Sequence, residues 1–70
     1  PSGLLLKSVI NKTKCAVKAL ASHLYIDNIL GTGNNYGISA ENGAILSVHG
    51  AQPAGTVASE NTAAGGKIFK

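Results

Sequence analysis

Seventy residues allow one domain, and a lone domain of that size hides only about 60% of the surface its unfolded chain exposes. The single cysteine, Cys15, excludes an internal disulfide, and the lone His23 and His49 form no Cys/His cluster, so no metal site and no cofactor is expected. The net charge of +3 is all lysine with no arginine, which argues against a nucleic-acid reader, because bidentate phosphate and guanine contacts favour arginine.

Residues 1–14 form a basic N-terminal segment carrying Lys7, Lys12 and Lys14. A chain that opens on Pro1 reads as a piece cut from a longer polypeptide. No run of about eighteen apolar residues exists, so no membrane span is expected. "GLLLKSVINKTKCAVKALASHL" (3–24) carries two patterns at once. As a helix, capped by Ser2, it gathers Leu6, Val9, Ile10, Val17, Leu20 and Leu24 near one face. As strands, it sets Leu4 with Leu6, turns at Asn11–Lys14, and resumes with Cys15, Val17 and Ala19. The β-branched residues favour strand, with a short capping helix compatible. The helix reading carries its own function, a cationic membrane-active peptide lying on anionic lipid.

From residue 15 to 70 an outline returns about every 20 residues. Val17 and Ala19 match Ile38 and Ala40 at an offset of twenty-one. Leu24 and Ile26 match Leu46 and Val48 if one residue is inserted. "ISAENGA" (38–44) returns as "VASENTA" (57–63) at an offset of nineteen. Each unit reads as strand, tight polar bend, strand and a looser connector, "GTGNN" (31–35) or "GAQPAG" (50–55). Asn42-Gly43 suits a hairpin turn. A hairpin would leave two open edges and no reason for the outline to return. A coil instead pairs each strand with its counterpart about 4.8 Å along an axis. The expected fold is therefore an all-β parallel β-solenoid. On the nineteen-residue alignment, Asn42 and Asn61 would stack as a structural amide ladder.

The stretch "YIDNILGTGNNYGISAENGAILSVHGAQPAGTVASENTAAGGKI" (25–68), and above all "YGISAENGAILSVHGA" (36–51), resembles the rungs of right-handed parallel β-helices of the pectate-lyase type. It looks most like those of bacteriophage tailspikes and tail fibres. The resemblance implies a homotrimeric virion protein of the phage tail that attaches to host cell-surface polysaccharide, of which this chain would be a fragment. Proteins of that kind often cleave the glycan with acidic residues. Few aromatics and only three acids depart from that pattern.

Glu41 and Glu60 are the candidate catalytic carboxylates, placed at one edge by the nineteen-residue alignment. Retaining and inverting glycosidases need two carboxyls between roughly 5 and 9.5 Å apart. A solvated polar corner is the plain alternative. Tyr25, Asp27 and Tyr36 are the candidate glycan-binding residues, since sugar sites combine aromatic faces with carboxylates. Packing of the two rings beside a turn is the alternative. The expected role is structural and adhesive, with a glycan-degrading lyase or hydrolase module as the rival. Burial against neighbouring copies, at about 25 cal/mol per Å² of apolar area, would supply what so short a chain lacks.

Overall fold

In a computed structural model describing residues 2–70, the chain winds about an axis for roughly three turns. Its strands are β1 (Ser2–Leu6), β2 (Cys15–Leu20), β3 (His23–Asp27), β4 (Asn34–Glu41), β5 (Ile45–His49), β6 (Gly55–Ala63) and β7 (Lys67–Phe69). They form two parallel sheets, ordered β1-β3-β5-β7 and β2-β4-β6. A third side is looser. Val9 pairs with Leu30 in a single bridge, and Ala54 N donates to Gly31 O at 3.1 Å. The fold is an all-β parallel solenoid without helix among the described residues. Pro1, the first residue of the expected 1–14 segment, lies outside them.

The register explains the insertion seen in the sequence. Cys15 faces Tyr36, an offset of twenty-one, whereas His23 faces Ile45, an offset of twenty-two. The extra residue is at the corner. Ala21 alone turns there in the first turn, at φ 48°. Asn42 and Gly43 do so in the second, at 55° and 75°, and Ala64 and Gly65 in the third, at 50° and 82°. A second corner stacks Lys7, Asn28 and Gly50, all left-handed as well. Asparagine and glycine tolerate that region, and alanine and lysine enter it at a cost.

Inside, like sits on like. Leu5, Ile26 and Val48 form one row, Gly3, Leu24, Leu46 and Ile68 another, and Val17 lies under Ile38. Ile26, Ile29, Ile38 and Leu46 are fully buried, each contributing about 1.5–3 kcal/mol by its removal from water. The small Ala19, Ala40 and Ala44 complete the core.

One alternative falls away and one expectation is corrected. Residues 2–6 and 15–20 are strands, so the helix over 3–24 does not form. Pairing with β3 and β4 supplies backbone hydrogen bonds at the period of two, and that outweighs the helical pattern. The nineteen-residue alignment also fails. Asn61 pairs with Ser39 and Glu60 with Ile38, while Asn42 N donates to Ala63 O at 3.2 Å. Asn42 and Asn61 therefore form no ladder. "SENT" lies mid-strand in β6, and the corner above Asn42-Gly43 is made by Ala64-Gly65.

An amide staple does exist, at Asn34. It is fully buried at the junction of the loose side and β4. Thr13 N and Thr13 Oγ1 donate to its Oδ1 at 3.0 and 2.6 Å, and its Nδ2 donates to Ile10 O at 2.9 Å and reaches Ala54 O at 3.5 Å. One side chain thus ties the second turn to those on either side.

Candidate functional site

The outer face of β2-β4-β6 carries a cleft of about 270 Å³. Parallel pairing builds it. Lys18, Ser39 and Asn61 occupy one row across the three strands, and Leu20, Glu41 and Ala63 the row two residues on. Ser39 is 2% exposed, and its hydroxyl donates to Glu41 Oε2 at 2.9 Å while accepting from Asn61 Nδ2 at 3.1 Å. Lys18 Nζ stands 3.4 Å from the same Glu41 oxygen. Lys14, Asn35 and Tyr36 close the other end.

Gly37 sets the position of Tyr36. A Cβ there would lie 2.1 Å from Pro53 O and 2.6 Å from Ser59 O, so only glycine fits. The register of β4 against β6 also shifts between Asn34 and Tyr36, and such irregularities re-aim side chains. Tyr36 is half-buried in the cleft wall.

Cys15 borders the cleft but is not poised as a nucleophile. Burial pushes its thiol up from the ordinary value, and Glu41 adds to the rise. The Val17 carbonyl and Lys18 oppose both. Its Sγ donates to Val17 O at 3.2 Å.

The sequence-derived candidates divide between faces. Tyr36 and Glu41 share the cleft. Tyr25 and Asp27 belong to the other sheet, where Tyr25 stacks on His49 with centroids 4.3 Å apart and Asp27 accepts from Asn28 Nδ2 at 2.9 Å. The three glycan candidates are therefore not one patch. Nor are the two glutamates a pair. Glu60 takes the core-side register of Ile38, three residues from the position facing Glu41, which is about 10 Å along the strand. Glu60 holds Lys70 and accepts from Gln52 Nε2 at 3.1 Å. The short "SEN" and "AEN" match had brought the two together falsely. Lys18 and Ser39 had no signal of their own, and Asn61 was singled out only for a ladder with Asn42. The correct offsets of twenty-one and twenty-two align them.

The rest of the surface differs in character. Leu4 and Phe69 share an outer row with Tyr25 and Ser47, Leu6 flanks it, and Val9 pairs with Leu30 round the corner. Leu4, Leu6, Val9, Leu30 and Phe69 are each at least half exposed.

No group of three or more His, Cys, Asp or Glu side chains is arranged to hold a metal among the described residues. No helix among them is long and apolar enough to cross a membrane. No protein-family model, curated protein or solved structure matches the chain.

Proposed function

We propose that this chain is a structural and adhesive segment of a bacteriophage tail fibre or tailspike, a stretch of solenoid in a homotrimeric rod that contacts host surface polysaccharide. The observation that carries this reading is the contrast between two sides of the winding. One sheet offers a polar cleft with a tyrosine in its wall, beside the exposed Leu20 and Val57; the other offers Leu4, Tyr25 and Phe69 in an outer row flanked by Leu6, with Val9 and Leu30 round the corner. Exposed apolar side chains gathered on one face of a small protein suit association, and a trimer packed through β1 and β7 would bury Leu4, Leu6 and Phe69 while leaving the cleft wet.

Adhesion fits better than glycan cleavage. Glu41 and Glu60 lie on opposite sides of their sheet, each engaged by a different lysine, so no carboxylate pair flanks a common bond. Light scattering together with retention on immobilised bacterial surface polysaccharide tests the proposal. A trimer that is retained is the expected result. A species that stays monomeric at every concentration and passes unretained would refute it.

A further inference from the structure

We infer that the cleft on β2-β4-β6 selects an acidic saccharide, a sugar ring bearing a carboxylate, with Lys14 as the group that recognises the acid. This rests on the reading of the chain as a glycan-contacting module and narrows the class of glycan.

The charge balance within the cleft gives the reason. Its wall holds Lys14, Lys18 and Glu41. Lys18 is matched to Glu41 at 3.4 Å. Lys14 has no carboxylate within salt-bridge reach among the described residues, and the other acids are elsewhere, Glu60 with Lys70 and Asp27 on the opposite sheet. The cleft therefore carries one uncompensated positive charge. A neutral sugar would leave it unanswered, whereas a carboxylate would form a charge-assisted hydrogen bond, the stronger kind.

The remaining groups suit a sugar ring. Glu41 uses Oε2 for both Ser39 and Lys18, which leaves Oε1 to accept from ring hydroxyls. Asn61 spends Nδ2 on Ser39 and keeps its carbonyl oxygen free. Tyr36 supplies an apolar surface with a hydroxyl at its edge. About 270 Å³ lies just under the roughly 300–1,000 Å³ usual for ligand pockets, so one ring is the unit bound.

The test uses the whole chain and two probes that differ only in the acid, methyl glucuronide and methyl glucoside, with acetate as a third arm. Binding is read by amide chemical-shift perturbation, which also confirms that each variant is folded. The glucuronide should perturb Ser39 and Asn61. Lys14→Gln should weaken it about tenfold, the weight of one charge-assisted contact at an open site, while Lys67→Gln on β7 should not. Added salt should weaken the glucuronide alone. Equal binding of glucoside and glucuronide, unmoved by Lys14→Gln, would overturn acid selection and leave the adhesive reading standing. Acetate binding as well as the glucuronide would reduce the cleft to a simple anion site and overturn it too. Perturbations confined to Tyr25 and His49 would place sugar contact on the other sheet. No response to either sugar would overturn both the selection and the glycan contact.

Discussion

At the scale of single residues, buried polarity and left-handed corners hold the turns in place. Asn34 satisfies backbone groups of Ile10 and Thr13 that would otherwise be stranded. An unpartnered buried group costs about 1–3 kcal/mol, and two are involved, so Asn34→Ala should lower stability by about 2–4 kcal/mol in urea unfolding. The corner residues lead to the opposite kind of change. Ala64 is exposed at φ 50°, one turn above Asn42 at 55°. Asparagine tolerates that region better than alanine, so Ala64→Asn should raise stability by about 0.5–1 kcal/mol in the same assay. The sequence carried these positions without showing their roles. "GTGNN" reads as a connector, and nothing in its composition says that one of its asparagines turns inward while the next stays exposed.

Among the elements, β4 is central, with β2 on one side and β6 on the other. Gly37 lets the third turn approach it closely. Gly37→Ala should therefore cost about 1–3 kcal/mol through overpacking and should also weaken sugar binding by displacing Tyr36, measurable by unfolding and by titration of the folded variant. The strands from 15 onward were legible because Val17 with Ile38 and Leu24 with Leu46 repeat at the true offsets. The final strand pairing was not, because a shared Glu-Asn outweighed the corner formed by the less conspicuous Ala64-Gly65. The first 24 residues were ambiguous because leucine and valine satisfied both periods. Only the neighbouring turn, absent from any local window, decides for strand. The cleft was half legible. Tyr36 and Glu41 were singled out, but the row of Lys18, Ser39 and Asn61 depends on register and on nothing local.

On the scale of the whole molecule, the winding is no looser than an ordinary small protein. Its radius of gyration is 10.6 Å, against about 11 Å for a compact chain of this length. Its accessible surface is 3988 Å², against about 4,000 Å² from mass scaling. At the end beyond β6 the core-side rows turn polar, and the pair of Glu60 with Lys70 stands where Ile38 stands one turn below. The bond from Lys70 holds the Glu60 carboxyl below its ordinary value of 4.5, Gln52 lowers it further, and partial burial opposes both. A carboxyl lowered on folding contributes stability above its unfolded value and loses it as pH falls through the lower folded one. Unfolding at about pH 6 and about pH 3 should thus show a larger loss for the wild-type chain than for Glu60→Gln. The solenoid register itself is tested most directly by backbone nuclear Overhauser contacts. Ser39 should contact Lys18 on one side and Asn61 on the other, and Ile26 should contact Val48. Contacts pairing 36–40 with 44–48 as a hairpin, or joining Asn42 to Asn61, would contradict it.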